Sequence, residues 1–193
     1  MAALEILPYP NESLRRQARP VTEFDASLAR LVSDMEETMN AEDGVGLAAT
    51  QVGVDLQLLL VHPYAFRGSD ARDEPVVVII NPEVIWQSDE TITAEEGCLS
   101  FPDVFIHVTR PAKVRLRALN LKAEPFEIEG EGLGARALLH EVDHLRGVVM
   151  IDHVSFLQRQ RALKKHQKHQ AELAAEARRK GPVGKTAKVS TAG

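Results

Sequence analysis

The stretch LLHEVDHLRG, residues 138–147, carries the pattern His-Glu-x-x-His. On a helix, residues i and i+4 lie on one face, so His140 and His144 could bind one metal ion between them. Glu141 lies one position round the helix, where its carboxylate could reach a water on the metal without being a ligand itself. The stretch therefore predicts a helix that carries two metal ligands and a general base.

A site of this kind needs a third protein ligand, and the identity of that ligand decides the class of enzyme. The metzincin pattern places a further histidine where this chain has Met150. Other possible donors are Glu172 and Glu176 in the basic tail, His107 and His153. Cys98, in the segment EEGCLS, is the best candidate, because its thiolate would complete a Cys-His-His set with one position open for water.

Hydrophobic periodicity predicts several strands and three helices around this segment. Strands are predicted at residues 58–61, 76–80, 84–86, 92–94, 112–119 and 126–129. Helices are predicted at residues 25–39, 135–145 and 158–179. Asn81 and Pro82 are expected to end the second strand. Strands this close in sequence favour antiparallel sheets over parallel crossover units, so the predicted fold class is α+β.

The composition indicates an ordinary globular chain with an acidic body and a basic end. Of the 193 residues, 44% are hydrophobic, and no apolar run reaches the length of a membrane span. The N-terminal residues do not resemble a secretory signal, and a single cysteine excludes an intrachain disulfide, so a reducing cytoplasm is expected. Residues 156–193 contain ten Lys and Arg against two Glu, which leaves a formal charge of −13 on residues 1–155.

Three segments resemble, in order and spacing, the signature motifs of the peptide deformylase family. They are GVGLAATQVG at 44–53, EGCLS at 96–100 and HEVDHLRG at 140–147. The N-terminal ILPYPNESLRRQARPV and the segment MIDHVS after the last motif are also similar to the family. Three motifs in one order are far more specific than a single His-Glu-x-x-His pattern, which arises by chance in many proteins.

The resemblance implies an activity, a fold and a metal. Members of the family remove the formyl group from nascent peptides that begin with formylmethionine, releasing formate. Their fold is α+β, with antiparallel β-sheets around a central metal-binding helix, and here a C-terminal helix follows. The resemblance makes Cys98, His140 and His144 the expected ligands of Fe(II), with Zn, Ni or Co possible, although ligand softness alone would favour zinc.

The resemblance also implies roles for individual residues. A water attacks the formyl carbon, and Glu141 takes the proton of that water and later delivers it to the leaving amine. The backbone N–H of Leu99 and the side-chain amide of Gln51 stabilise the oxyanion. The expected substrate-binding residues are Gly46 for the peptide backbone and Val45, Leu133 and Ala137 for the methionine side chain. Glu96 is expected to orient one of the ligating histidines.

Two positions depart from the family pattern. Leu139 replaces the glutamine that usually precedes the His-Glu motif, and it is expected to face away from the metal and to alter packing rather than activity. Phe105 lies near the position where some members carry an arginine that touches the peptide, so this departure is expected to affect peptide affinity and subsite preference rather than the chemistry. Two alternative functions stay open: a metallopeptidase of another kind, which would cleave unformylated peptides, and a non-enzymatic metal-binding module with an RNA-binding tail.

The chain is expected to divide into a catalytic domain at 1–155, a basic C-terminal helix at 156–180 and a disordered tail at 181–193. In some deformylases a basic C-terminal helix binds the ribosome, so a contact with rRNA is expected here. The alternative is a solvated helix without a partner. We further expect a monomer that acts on N-formylmethionyl peptides, without membrane association, in the cytoplasm.

Overall fold

A five-stranded and a two-stranded antiparallel sheet surround one buried helix in the computed structural model, which describes residues 3–180. The strands are β1 (Gly46–Ala48), β2 (Leu58–Val61), β3 (Val77–Gln87), β4 (Thr91–Gly97), β5 (Phe105–Pro111), β6 (Lys113–Leu119) and β7 (Pro125–Glu131). The α-helices are α1 (Ala26–Ala41), the short α2 (Tyr64–Arg67), α3 (Leu133–Leu145) and α4 (Phe156–Lys180). The predicted α+β class is confirmed, whereas the predicted disordered tail at 181–193 lies outside the described residues.

The larger sheet has the strand order β1-β2-β3-β6-β7, and β4 pairs only with β5 among the described strands. The prediction that Asn81 and Pro82 end a strand was wrong, because β3 continues through both residues. Asn81 adopts a φ of 52°, and β-bulges in the β3–β6 pairing absorb the irregularity. The Asn81 side chain accepts a hydrogen bond from Val21 N (2.8 Å) and donates one to Val21 O (2.9 Å), which holds the bulge in place.

Two strands, β5 and β1, were not predicted from the sequence. Strand β5 pairs with β4 along its whole length, from Thr91↔Pro111 to Gly97↔Phe105. The buried face of β5 includes Arg110 as well as Val108, so its polar composition hid the alternation. Strand β1 has three residues, all buried, and is too short to display any alternation.

Helix α1 follows its predicted pattern closely. The side chain of Asp25 caps the helix by accepting hydrogen bonds from Ser27 N (2.9 Å) and Leu28 N (3.1 Å). Buried residues recur at helical spacing along the face that packs on β1 and β2: Leu28, Val32, Met35 and Met39. The cap and the apolar face therefore both originate in local sequence.

Helix α3 lies at the centre of the fold, and nearly every side chain from Gly134 to Leu145 is buried. A helix whose side chains are buried on nearly all sides is stable only inside a core, here between the larger sheet and β5. Gly147 follows the C-terminal end of α3 and adopts a left-handed φ of 73°. A Cβ there would lie 2.5 Å from the carbonyl oxygen of Arg15. The sheet and the N-terminal segment thus fix the position of the His-Glu-x-x-His residues.

Helix α4 docks on the body through its first half. Ala162 and His166 are buried, whereas the described side chains from position 171 onward are exposed. This division agrees with the thin apolar content of the helix. Among residues 3–180, the helices lack the combination of length and hydrophobicity that crossing a bilayer requires.

Candidate active site

Three potential metal ligands converge where α3 faces the loop after β4. Cys98 Sγ lies 3.2 Å from His144 Nε2, which lies 3.2 Å from His140 Nε2. The three donor atoms all lie within 4.8 Å of one another. A thiolate and two imidazoles suit a divalent transition metal, and three protein donors leave a position for water or substrate. The residues present therefore fit a catalytic metal, and the structure brings the three expected ligands together.

The ring of His140 is oriented by Glu96. His140 Nδ1 donates to Glu96 Oε1 at 2.7 Å, which leaves Nε2 directed at the other two ligand atoms. Glu96 also accepts hydrogen bonds from Arg110 (2.6 and 3.0 Å) and Arg136 (2.9 Å). Burial alone would raise the pKa of Glu96, but the hydrogen bonds from His140 and Arg110 outweigh it and hold the pKa well below its usual range. The geometry matches the expectation for Glu96.

Arg110 extends this network away from the metal site, and the sequence analysis missed it. Its Nη1 donates to Asp143 Oδ2 at 2.5 Å, and the same carboxylate oxygen lies 2.6 Å from His153 Nε2. His153, one of the alternative ligands, therefore pairs with Asp143. The available signal was its spacing of two residues from Val108, which places both side chains on one face once residues 105–111 are recognised as a strand.

The carboxylate of Glu141 lies buried beside the metal-ligand set. Its Oε2 has no hydrogen-bond partner among the described residues, and burial raises the pKa of Glu141 from 4.5 to about 7. Gly46 faces this carboxylate, since a Cβ at Gly46 would lie 2.7 Å from Glu141 Oε1. The missing side chain at position 46 therefore leaves the room that the carboxylate occupies.

Gln51 directs its amide nitrogen towards Cys98. Its Oε1 accepts from Ala48 N at 2.9 Å, so Nε2 points to Ser100 Oγ (3.3 Å) and Cys98 Sγ (3.6 Å). The side chain is buried, which fixes this orientation. Gln51 therefore presents an N–H donor at the edge of the metal-ligand set, and Leu99 follows Cys98 directly in the chain.

A cleft of about 460 Å³ opens onto these groups. Its walls include all of the expected site residues except His144, which is fully buried beneath the cleft. The expected residues that line the cleft are Val45, Gly46, Gln51, Cys98, Leu99, Leu133, Ala137, His140 and Glu141. Phe105 lies at the rim and is 58% exposed. Leu139 packs in the hydrophobic core instead of lining the cleft, as expected from its position beside His140.

Comparisons with known proteins agree with this geometry. The family pattern of polypeptide deformylases matches residues 3–160. The peptide deformylase of Phenylobacterium zucineum is 44% identical over 169 residues, covering 88% of this chain and 98% of the relative. Peptide deformylase 1 of Ralstonia nicotianae is 45% identical over 174 residues, covering 90% of this chain and 99% of the relative.

Solved structures give the same result. A peptide deformylase from Legionella pneumophila has a TM-score of 0.83 at 41% identity, covering 90% of this chain and 98% of its own. A peptide deformylase from Ehrlichia chaffeensis in complex with actinonin has a TM-score of 0.80 at 36% identity, covering 88% of this chain and 98% of its own. The chain therefore belongs to the polypeptide deformylase family, the metal-dependent hydrolases that remove the N-formyl group from nascent peptides.

Proposed function

We propose that the cleft carries out the family's reaction with Glu141 as its proton carrier. Water adds across the C–N bond of the N-terminal formamide, which yields formate and a free amino group on the peptide. The observation that carries this assignment is the buried Glu141 carboxylate beside the Cys98-His140-His144 set. A catalytic rather than structural site is supported by the number of protein donors, since closed structural sites use four.

Each residue of the cleft has a proposed task. A divalent cation at the three ligands would supply Lewis-acid chemistry and a more acidic water at neutral pH. Glu141 receives the proton of the attacking water and transfers it to the leaving amine, and in the metal-free protein burial already raises its pKa to about 7. Gln51 Nε2 and the backbone N–H of Leu99 donate to the oxygen that becomes negative.

The methionine side chain is proposed to contact the apolar wall of the cleft. Val45, Leu133 and Ala137 form this wall, and Leu133 is 49% exposed, so a ligand can cover it. Gly46 lies beside Glu141 and is proposed to hydrogen-bond the peptide backbone. This arrangement would bring the formyl group towards the ligand set while the peptide leaves along the rim that contains Phe105.

We propose Fe(II) as the native metal, with Zn, Ni or Co able to occupy the same site. The thiolate and the two imidazoles are compatible with each of these ions. Metal analysis of protein that was purified without oxygen, from cells grown in ordinary medium, tests the assignment. Iron in near-stoichiometric amount is expected, and a stoichiometric content of zinc alone would contradict it.

Formate release from a short formyl-methionyl peptide tests the catalytic assignment. The protein is loaded with Fe(II) under anaerobic conditions or with Ni(II), and Glu141→Ala with the same metal content is the control. We expect formate from the wild-type protein and loss of turnover in the variant. Cleavage of unformylated peptides would support a metallopeptidase instead, and a folded, metal-bound protein without turnover would support a binding module.

The outer face of α4 is proposed to contact rRNA. Exposed cations line its first half: Arg161, Lys164, Lys165 and Lys168. Lys and Arg neutralise phosphates and release counterions, so binding to ribosomes should weaken steeply with salt. A variant with these four residues changed to Gln should sediment with ribosomes less, and equal sedimentation at all salt concentrations would refute the contact.

We also propose that residues 1–155 form the catalytic domain, that residues 156–180 are an appended helix, and that the protein is a cytoplasmic monomer. Helix α4 begins at Phe156 and its described side chains are exposed from position 171 onward, which supports treating it as an appended element. Analytical ultracentrifugation of the metal-loaded protein tests the monomer, and a sedimentation coefficient that rises with protein concentration would contradict it. Fractionation of cells tests the location.

A further inference from the structure

Three rings pack together in one layer where α4 meets the loop that supplies Cys98: the buried Phe101 and His166 and the half-buried Tyr9. His166 of α4 is 2% exposed. The Tyr9 and Phe101 rings stack with their centroids 4.7 Å apart, and the Phe101 and His166 centroids are 5.1 Å apart. Neither the metal site nor the proposed reaction uses His166, although burying an imidazole has a cost unless it serves packing or hydrogen bonding.

The backbone of Tyr9 connects His166 to the loop. His166 Nε2 donates to Tyr9 O at 2.6 Å, and Tyr9 N donates to Ser100 O at 2.9 Å. Ser100 is two residues beyond Cys98, and its Oγ receives the hydrogen bond from Gln51 Nε2. Tyr9 thus links the helix to the segment that carries Cys98 and Leu99, one of the two proposed oxyanion donors.

A second contact joins the next turn of α4 to the same loop. His169 Nδ1 lies 3.0 Å from Asp103 Oδ2, and Asp103 lies at the wall of the cleft. Residues 98–104, here called the metal loop, contribute Cys98, Leu99 and one wall of the substrate cleft. Ser100 of the metal loop therefore contacts α4 through Tyr9, and Asp103 contacts it directly.

We propose that His166 is a positioning residue. Its hydrogen bond to Tyr9 holds the metal loop in place and thereby limits the movement of Cys98 and of the cleft wall. The inference deepens the proposed function, because it assigns the inner face of α4 to the same site. The imidazole acts through its Nε2–H donor, and its ring fills the layer. The two roles can be separated, because substitutions exist that keep one and remove the other.

The test compares two variants of the full-length protein. His166→Phe keeps a ring in the layer and removes the donor, whereas His166→Gln keeps an N–H donor and removes the ring. Gln167→Ala, at the next position of the helix and exposed, is the matched control. For each Ni(II)-loaded protein we would measure the rate of metal loss to EDTA, the kcat and KM for a formyl-methionyl peptide, and the urea midpoint.

Loss of the donor should accelerate metal loss and raise KM by about fivefold in His166→Phe, the effect of one hydrogen bond of about 1 kcal/mol. His166→Gln should stay closer to the wild-type rate, and Gln167→Ala should equal it. Wild-type metal loss and KM in His166→Phe would overturn the proposal. Equal changes in both His166 variants, in proportion to their urea midpoints, would also overturn it, since they would indicate general destabilisation.

If His166→Phe does not fold, His166→Leu takes its place, because it removes the same Nε2–H donor with a smaller side chain. Faster metal loss is expected from it, and an unchanged rate would overturn the proposal. Metal loss does not depend on turnover. A protein that shows the expected metal-loss pattern and releases no formate would therefore contradict the proposed function and leave the role of His166 standing.

Discussion

Replacing Glu96 by Gln should weaken metal binding and destabilise the fold together. The Glu96 side chain is 3% exposed and receives hydrogen bonds from Arg110, Arg136 and His140. The amide of Gln keeps one acceptor oxygen, turns an NH2 group towards these donors and removes the charge that balances two buried guanidinium groups. Breaking a buried ion pair costs about 3–5 kcal/mol, and loss of a partner that orients a ligand lowers metal affinity about 10- to 100-fold.

The assay pairs urea unfolding of the metal-free protein with chelator competition for Ni(II). Glu127→Gln is the control, because Glu127 forms an exposed ion pair with Arg117 at 3.3 Å and should contribute less than about 1 kcal/mol. The pKa of Glu96 is lowered by folding, so its contribution is present above the unfolded pKa and is lost as the pH falls through the folded one. The difference from wild type should shrink on acidification. A Glu96→Gln protein that matches the control in stability and metal affinity would refute the reasoning.

Four further changes have expected outcomes. Gly46→Ala should lower kcat for formate release, since its Cβ would lie 2.7 Å from Glu141 Oε1. Gln51→Leu should lower kcat by about 10² to 10³ at unchanged metal content, because an oxyanion donor is lost. In the metal-free protein, folding raises the pKa of Glu141 to about 7, so wild type should lose urea stability relative to Glu141→Gln as the pH rises from 4.5 through 7. Leu139→Gln should lower the urea midpoint by burying a polar group, and formate release should persist.

The elements that were predictable carry their signal within a few residues. Asp25 caps α1 with its own side chain, and Val32 and Met35 recur at the spacing that buries one helical face. The i,i+4 spacing of His140 and His144 places both rings on one face of α3, whatever surrounds the helix. Local chemistry is sufficient in each of these cases.

The parts that could not be predicted depend on distant segments. Strand β3 continues past Asn81 because this side chain hydrogen-bonds the backbone of Val21. The residues around Asn81 give no sign of this contact, since Val21 lies 60 residues away in the sequence. Alternation marks Arg110 as inward-facing but does not name Glu96 and Asp143, its partners on other elements. The position of Cys98 was inferred from donor chemistry and from the family resemblance, since its distance from α3 is a property of the whole fold.

Helix α3 carries both candidate ligand histidines and the proposed proton carrier on adjacent turns. The spacing among these three side chains is set by the covalent geometry of one helix, so a rigid displacement of α3 moves them as a unit. Cys98 comes from a separate segment. The distance between Cys98 and the two histidines can therefore change without any change within α3. Tuning this protein towards a larger or smaller ion should therefore require changes under one loop, and the helix can be left untouched.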